Sequence, residues 1–289
     1  TLYMNIGIIG SGGREHSLCF KLLQSKKVTK IFCIPGNAGT NEICKNLDLD
    51  ILDFGQLYNS IKQNNIKLVI VGPEVPLVQG ITDFLENKNI KVFGPSKKAS
   101  QLEGSKIFMK NLCTKFNIPA ARYAEINDIE SAHEALKNFK EPIVVKSDGL
   151  AAGKGVTICE NKDDAIKDIK NILDGKFKSS KKVILEEFLE GEEASYFVIT
   201  DGTNFKQIGT AQDHKRVGEG DTGLNTGGMG AYSPSLLINE EIEKKIINKI
   251  ILPTIKGMKQ LGCKYKGILY AGLMIKNNEP KLIEYNIRF

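Results

Sequence analysis

The last eight residues of the chain, LIEYNIRF, place three side chains of complementary chemistry at alternate positions. A period of two puts Glu284, Asn286 and Arg288 on one face of a strand and the apolar residues between and before them on the other. A carboxylate and an amide oxygen are hard ligands suited to a Mg²⁺ ion that bridges nucleotide phosphates, and the guanidinium beside them would hold an anion. The alternative is a charged strand face that only meets solvent.

A second candidate group is a lysine on a strand beside a glycine-rich loop. Lys146 lies in the alternating run IVVKSD, and the loop GLAAGKG, from Gly149 to Gly155, carries Lys154. Two cations in this arrangement would stabilise the charge on a phosphoryl group during its transfer. The spacing is not that of a P-loop, because Gly155 stands where Ser or Thr would hold magnesium. The alternative is a pair of solvated surface lysines.

The segment VILEEFLEGEEAS, residues 183–195, has the composition of a nucleoside site. Its backbone would meet an adenine edge, the apolar Phe188 would lie on the adenine face, and Glu193 would accept hydrogen bonds from ribose hydroxyls. An amphipathic strand with charged ends is the alternative.

The glycine-rich turn GSGGRE, residues 10–15, follows an apolar strand and opens a helix. Small residues there expose backbone N–H groups at a helix N-terminus, which predicts a phosphate cradle. A dinucleotide site fits less well, because Glu15 stands at the third glycine position and Pro35 near the place of the acid that grips a ribose. A tight turn without a ligand is the remaining alternative.

Two modules would position these residues. In the first hundred residues, the apolar runs NIGIIG, KIFCIPG, KLVIVGPE and KVFGPS alternate with helix-like stretches, which predicts a parallel α/β sheet with ligands at the carboxyl ends of its strands. From about Gln101 the pattern changes to a helix, SKIFMKNLCTKF, then two strands around the GLAAGKG loop and further strands. A long loop is predicted from Gln212 to Ser233, followed by a helix and two final strands.

Composition narrows the class of protein. The length of 289 residues suggests about two domains, and 41% apolar with 26% charged residues is typical of a globular protein. The longest apolar runs are strand-sized, and the first residues do not resemble a secretory signal, so we expect no membrane partner. The net charge of +6 comes without a basic run and fits anionic small molecules as well as nucleic acid, so the charge alone decides nothing. On the chain as a whole we expect no nucleic-acid partner. Six scattered cysteines predict reduced, mostly buried thiols and a cytoplasmic location.

The order of these motifs resembles that of the ATP-grasp superfamily, and the chain closely resembles the phosphoribosylamine–glycine ligase family within it. The resemblance rests on IGSGGREHSL, PGNAGT, VGPEVPLVQGI, FGPS, QLEGSK, KSDGLAAGKGV, EEFLEGEEAS, QDHKRVGEGDTGLNTGGMGAYSP and YAGLMI. It implies an N-terminal parallel α/β, Rossmann-like domain at 1–102 and an ATP-grasp α+β domain at 103–289, with a small lid subdomain at about 120–190. In the family a further C-terminal domain follows, and the resemblance implies that it is absent from this chain.

The family reaction joins glycine to 5-phosphoribosylamine in de novo purine synthesis, with ATP going to ADP and phosphate by way of glycyl phosphate. The resemblance therefore implies ATP and Mg²⁺ or Mn²⁺ as cofactors, small-molecule partners, and a monomer or weak homodimer. Three alternatives remain. One is another purine-pathway ATP-grasp ligase, such as carboxyaminoimidazole ribonucleotide synthetase, which uses bicarbonate. The others are a nucleotide-binding fragment that is inactive without the C-terminal domain, and an NAD dehydrogenase.

The resemblance also implies a role for each matching residue. The ATP site would comprise Lys106, Lys146, Gly153, Lys154 and Gly155 at the phosphates, Glu186, Glu187, Phe188 and Leu189 at the adenine, and Glu193 at the ribose. Glu284 and Asn286 would hold the metal; many superfamily members add an acid on the preceding strand, but none occurs around Met274. Asp213, Lys215 and Arg288 would seat glycine and, with Lys154, form the catalytic group. Phosphoribosylamine would meet Gly10, Ser11, Gly12, Gly13, Arg14, Asn37 and Glu74.

Overall fold

The computed structural model describes residues 3–150, 155–176, 182–214, 216–219, 222–225 and 230–289. Its first part is a five-stranded parallel sheet covered by helices, as the apolar runs predict. The strands are β1 (Met4–Gly10), β2 (Val28–Pro35), β3 (Lys45–Asn46), β4 (Ile66–Val71) and β5 (Lys91–Phe93). The helices are α1 (Gly13–Leu23), α2 (Ala38–Ile43), α3 (Phe54–Gln63), α4 (Glu74–Gln79) and α5 (Ile81–Glu86).

Both faces of this sheet are buried. Ile8 of β1 packs in a cluster with Cys19 of α1, whereas the next residue, Ile9, packs in a cluster with Leu57 of α3. Burial on both faces explains why these strands are continuous apolar runs rather than alternating ones. In the strand order β3-β2-β1-β4-β5, the chain adds β2 and β3 on one side of β1 and then β4 and β5 on the other, so the topological switch point lies between β1 and β4. Ligand crevices form at such a point, where β1 ends at Gly10 and Gly72 follows β4.

The second part begins with two helices and a small antiparallel sheet that has its own core. The helices α6 (Gln101–Gly104) and α7 (Lys106–Lys115) precede it. The four-stranded sheet runs in the order β6-β9-β7-β8. Its strands are β6 (Tyr123–Ile126), β7 (Ile143–Ser147), β8 (Val156–Cys159) and β9 (Val183–Glu187), and its helices are α8 (Ile129–Leu136) and α9 (Lys162–Leu173). We call this unit, residues 123–187, the lid sheet; its apolar cluster joins both helices to the strands.

A larger antiparallel sheet, the platform sheet, completes the described fold in the order β14-β11-β10-β15-β16. Its strands are β10 (Glu192–Thr200), β11 (Phe205–Asp213), β14 (Ala231–Tyr232), β15 (Gly267–Lys276) and β16 (Glu279–Asn286). Two short strands, β12 (Arg216–Gly218) and β13 (Thr222–Asn225), pair with each other, and the helices are α10 (Glu240–Ile246) and α11 (Leu252–Gln260), joined by a π-helical turn at Ile247–Ile251. The prediction of a loop from Gln212 to Ser233 was therefore wrong in part, because backbone pairing continues inside it.

One face of the platform sheet packs on α10 and α11. Tyr196, Leu273 and Tyr285 are buried there with Ile246 and Ile250 in one apolar cluster. Each fully buried residue of this size contributes about 1.5–3 kcal/mol through the hydrophobic effect. The predicted alternation along β16 holds from Glu284 onward. It fails at Ile283, because a bulge there leaves Leu282 as the buried residue and Ile283 half-buried.

The apolar cluster of the platform sheet is continuous with one face of the parallel sheet. It includes Ile9 and Leu57 of the first part together with Ile250 and Tyr285 of the second. The two parts therefore share a core, which fixes the parallel sheet's strand ends relative to β16. Within the described residues no helix combines the length and the apolar character needed to cross a bilayer.

Candidate functional site

The platform sheet has a second face, and strand register shows which predicted residues lie on it. Ser195 pairs with Ala211 on one side and with Gly272 on the other, and Gly272 pairs with Glu284. Because side chains alternate along each strand, this face also carries four of the predicted site residues. They are Glu193, Asp213, Glu284 and Asn286.

Glu284 and Asn286 provide two oxygen donors on adjacent positions of this face. A Cβ atom added to Gly272 would lie 3.2 Å from Cγ of Glu284, so the glycine leaves room for the carboxylate. The preceding strand, β15, carries no acidic residue, around Met274 or elsewhere. Among the described residues no group of three or more His, Cys, Asp or Glu side chains could by itself hold a metal ion. Glu284 and Asn286 fit a divalent cation that takes its remaining ligands from phosphates and water.

Arg288, just beyond β16, joins the platform sheet to the parallel sheet. Its Nε donates to Oε2 of Glu74 at 2.9 Å, and its Nη2 donates to Oδ1 of Asn286 at 3.3 Å. Glu74 begins α4 at the carboxyl end of β4. The structure therefore brings together two predicted substrate residues that are 214 positions apart in the sequence.

Glu103 of α6 is a second carboxylate at Arg288. Its Oε2 accepts the backbone N–H of Ile287 at 2.9 Å, and its Oε1 lies 3.7 Å from Nη2 of Arg288. Burial raises the pKa of Glu103 to about 7, although Arg288 and the Ile287 N–H both oppose the rise. The repulsion of Glu74 and Glu284 adds to it. Glu103 thus holds the chain in place at the end of β16, beside the residues that are predicted to bind the metal ion and the substrate glycine.

Lys106 starts α7 and lies between the lid and platform sheets. Its Nζ donates to the Gly149 carbonyl at 2.9 Å, and its backbone N–H donates to Oδ1 of Asp148 at 2.6 Å. Burial lowers the pKa of Lys106, and the charge of Lys146 lowers it further, whereas Asp148 and Glu284 raise it. Lys106 is therefore within electrostatic reach of both the lid lysine and the metal candidate.

Lys146 belongs to a buried group of three charges. Its Nζ lies 2.9 Å from Oε2 of Glu186 on β9, and Nζ of Lys110 on α7 lies 3.2 Å from Oε1 of the same carboxylate. The exposed fractions of the three residues are 6% for Lys146, 1% for Lys110 and 3% for Glu186. The Glu186 carboxylate therefore faces two lysines, and its backbone is paired with Tyr123 of β6 and Val144 of β7, so the structure does not place Glu186 as an open contact for adenine.

The hinge between the lid and platform sheets borders a cavity of about 390 Å³. Phe188, Leu189 and Met274 give it an apolar wall. Glu187 also borders the cavity, but its Oε1 and Oε2 accept hydrogen bonds from the backbone N–H and Nε of Arg122 at 3.0 and 3.2 Å. The cavity therefore offers an apolar wall at the hinge, which suits a flat heterocycle.

The helix that follows the predicted phosphate cradle, α1, places the carboxylate of Glu15 against the loop. Oε2 of Glu15 accepts the Gly12 N–H at 2.7 Å, and Glu15 is only 3% exposed. A Cβ atom at Gly72 would lie 1.9 Å from Oε1 of Glu15 and one at Gly10 would lie 2.6 Å from its Cδ, so this carboxylate requires glycine at both positions. Nη1 of Arg14 donates to the Gly72 carbonyl at 2.7 Å. One backbone donor of the loop is thus already used.

Asn37 ties the glycine-rich loop to α2. Its Nδ2 donates to the Ser11 carbonyl at 2.9 Å, and its Oδ1 accepts the Thr40 N–H at 2.9 Å as the N-cap of the helix. The structure thus brings Asn37 to Gly10, Ser11, Gly12 and Gly13, as their predicted common role requires.

Three predicted residues, Gly153, Lys154 and Lys215, lie outside the described residues. Gly155 is described, and its carbonyl accepts the Ser147 N–H at 2.8 Å, which closes the base of the GLAAGKG hairpin. A cavity of about 510 Å³ lies between α7, β6 and α8 and is lined by none of the predicted site residues.

The sequence reading missed Glu103, Lys110 and Asp148. Lys110 follows Lys106 by one helical turn and so shares its face, and Asp148 follows Lys146 by two positions. These spacings were available signals. For Glu103 no periodic pattern pointed to Arg288, because their contact spans two separate elements.

Comparison with known proteins gives a consistent result. Residues 4–103 match the family model described as phosphoribosylglycinamide synthetase, N domain, and residues 104–289 match the one described as phosphoribosylglycinamide synthetase, ATP-grasp (A) domain. The chain is 50% identical to a phosphoribosylamine–glycine ligase of Mesorhizobium japonicum, over 99% of this chain and 68% of the relative. It is 49% identical to one of Pasteurella multocida, again over 99% and 68%.

Among solved structures, a phosphoribosylamine–glycine ligase of Thermotoga maritima superposes with a TM-score of 0.83 at 33% identity. The superposition covers 99% of this chain and 69% of that one. This chain therefore spans about two thirds of the length of the relatives that it matches.

Proposed function

This chain belongs to the phosphoribosylglycinamide synthetase family, and from that premise we propose that it acts as an ATP-dependent ligase that joins glycine to 5-phosphoribosylamine. The products are glycinamide ribonucleotide, ADP and phosphate, in purine biosynthesis. The function is the one that its relatives carry by name. The assignment of individual residues is our inference from the geometry.

The single observation that carries the residue assignment is the meeting of the lid and the platform sheet. Lys106 and Lys146, on α7 and β7, lie within electrostatic reach of each other, and Lys106 also interacts with Glu284 on β16. Cations for a polyphosphate and oxygens for a divalent ion thus converge from segments remote in sequence. A nucleotide whose base occupies the hinge cavity would direct its phosphates toward this meeting point.

In the proposed first step, a carboxylate oxygen of glycine attacks the γ-phosphorus of ATP, the bond to the β,γ-bridging oxygen breaks, and ADP leaves. A divalent cation held by Glu284 and Asn286 would neutralise phosphate charge. The ammonium groups of Lys106 and Lys146 would stabilise the negative charge that moves onto the nucleotide. Lys154, Gly153 and Gly155 are proposed to cover the phosphates and exclude water from the acyl phosphate.

Arg288 is proposed to hold the glycine carboxylate. Its guanidinium is already fixed by Glu74, Asn286 and Glu103, so little side-chain entropy is lost when the substrate binds. Asp213, on the same face of the platform sheet, would receive the glycine ammonium, with Lys215 nearby in sequence. A fixed carboxylate close to the γ-phosphate is what acyl transfer needs.

In the proposed second step, the amine of phosphoribosylamine attacks the acyl carbon, phosphate leaves, and the nitrogen loses a proton. The carboxyl ends of β1 and β4 would hold this substrate, because Glu74 there contacts Arg288 directly. Glu74 would accept a ribose hydroxyl, and the loop Gly10–Arg14 with Asn37 would border the sugar phosphate. The N–H of Gly12 is already used by Glu15, so the sugar phosphate would meet other N–H groups of the loop, among them those of Ser11, Gly13 and Arg14.

The test is product formation with components omitted one at a time. ATP, Mg²⁺, glycine and freshly generated phosphoribosylamine are supplied, and ADP and phosphate are followed. We expect ADP release to require both glycine and phosphoribosylamine. With glycine labelled by ¹⁸O in its carboxylate, one ¹⁸O atom should appear in the phosphate released. Unlabelled phosphate would contradict the acyl phosphate route.

The alternatives predict different results in this assay or in a binding measurement. ADP release with bicarbonate and aminoimidazole ribonucleotide, but not with glycine, would identify a carboxylating relative. ATP binding without turnover would identify a nucleotide-binding chain that needs further residues. A change in NADH fluorescence on mixing would favour a dehydrogenase. Three predictions remain: the choice between Mg²⁺ and Mn²⁺, the cytoplasmic location, and the monomer or weak homodimer. Activity with each ion tests the metal preference, and light scattering after gel filtration tests the oligomeric state.

A further inference from the structure

Lys110 is a fully buried cation with no role in the reaction outlined above. It lies on α7 one turn after Lys106, and only 1% of it is exposed. Its Nζ lies 3.2 Å from Oε1 of Glu186 and donates to the Ala121 carbonyl at 3.1 Å. An ammonium group is costly to bury, so a lysine in this position needs compensating partners.

Glu186 divides its two oxygens between two lysines. Oε2 lies 2.9 Å from Nζ of Lys146, and Oε1 faces Lys110. A single Lys146–Glu186 pair would be neutral, whereas the group of three carries a net charge of +1. Burial lowers the pKa of Lys110, and the Glu186 carboxylate opposes that change. The excess positive charge lies next to the point where we place the ATP phosphates.

We propose that Lys110 is a positioning residue for nucleotide binding. It pairs with Oε1 of Glu186, the oxygen that does not face Lys146, and thereby leaves the charge of Lys146 available to the ATP phosphates. The inference rests on the proposed function, because it takes the ligand of Lys146 to be a nucleoside triphosphate. Lys110 itself does not touch the nucleotide. Its effect on Lys146 passes through the Glu186 carboxylate, so variants that change the charge at Lys110 and at Glu186 can test it.

The first variant is Lys110→Met, which keeps the length of the side chain and removes its charge. The group then becomes a neutral Lys146–Glu186 pair. Binding of Mg²⁺ and a non-hydrolysable ATP analogue is measured by titration calorimetry, and we expect the Kd to rise by about tenfold to a hundredfold, the range for loss of a charged interaction. The KM for ATP should rise in parallel, whereas kcat at saturating ATP should change much less.

The decisive variant is the double change Lys110→Met with Glu186→Gln. It removes one positive and one negative charge, so Lys146 again carries an uncompensated +1. We expect the double variant to regain most of the lost nucleotide affinity. A residue that only supports packing predicts the opposite, because a second buried substitution would add to the damage.

Two controls complete the design. Lys115→Met makes the same change on the same helix at an exposed position and should leave the Kd unchanged. Lys110→Arg keeps the charge and should lose less than about tenfold in affinity; it carries the test if Lys110→Met does not fold. A Lys110→Met protein that binds as wild type, a folded double variant as weak as the single one, or a folded Lys110→Arg protein that loses more than about tenfold would overturn the inference. A wild-type protein that binds no nucleotide would instead overturn the proposed function.

Discussion

Replacement of Glu103 by glutamine should remove part of the pH dependence of folding stability. Burial raises the pKa of Glu103 to about 7 from an ordinary value of 4.5. Below pH 4.5 the side chain is protonated in both the folded and the unfolded chain. Between the two values only the folded chain retains the proton, so the unfolding free energy of the wild type falls as the pH rises and the fall ends above pH 7.

The size of the effect follows from the same two values. At about 1.36 kcal/mol per pKa unit, the difference between 4.5 and about 7 corresponds to about 3 kcal/mol. The side chain is 11% exposed, so solvent screens it little. Glutamine keeps an oxygen that accepts the Ile287 N–H but cannot ionise. The free-energy difference, Glu103→Gln minus wild type, should therefore grow by about 2 to 3 kcal/mol between pH 5 and pH 8.

Urea unfolding of the nucleotide-free protein in chelator, at several pH values, measures this difference from the midpoints and a common m-value. Glu125→Gln on β6 is the matched control, since it removes an exposed carboxylate. Its effect should stay within about 0.5 kcal/mol across the range. A Glu103→Gln difference that is flat, or that shrinks as the pH rises, would refute the assignment of Glu103 as a buried carboxyl that ionises near neutral pH.

The remaining predictions concern the site. Glu284→Gln should leave the unfolding midpoint nearly unchanged but raise the Mg²⁺ requirement of ADP release by about tenfold or more; an unaltered Mg²⁺ titration would exclude the ligand role. Arg288→Ala should raise the KM for glycine more than that for ATP, because it removes a carboxylate partner; equal effects on both would contradict it. Asp148→Asn weakens the cap of α7 at the Lys106 N–H and should cost about 1 kcal/mol in urea unfolding. An effect below about 0.3 kcal/mol would show that Ser105 caps the helix alone.

Local patterns in the sequence were enough to predict much of the fold. Apolar runs separated by turn residues predicted the parallel sheet, because burial on both faces demands continuous apolar strands. The spacing Glu284, Asn286, Arg288 predicted one strand face, and the structure places Glu284 and Asn286 on that face, whereas the prediction was wrong for Arg288, which lies just beyond the end of β16. The motif order predicted the family, which the matches over residues 4–103 and 104–289 confirm. Ile283 fell outside these patterns, since a bulge depends on the register of the neighbouring strand.

Tertiary structure alone decided which charged groups meet. Whether Glu186 faces a nucleotide or two lysines depends on how α7 packs against the lid sheet, which no periodicity encodes. The pairing of Arg288 with Glu74 and Glu103 likewise requires that the parallel sheet and β16 share one core. Side-chain chemistry and spacing are local properties and can be read along the chain. Burial and ionic partnership arise from contacts distant in sequence, so the charge balance at Lys146 and the raised pKa of Glu103 exist only in the folded protein.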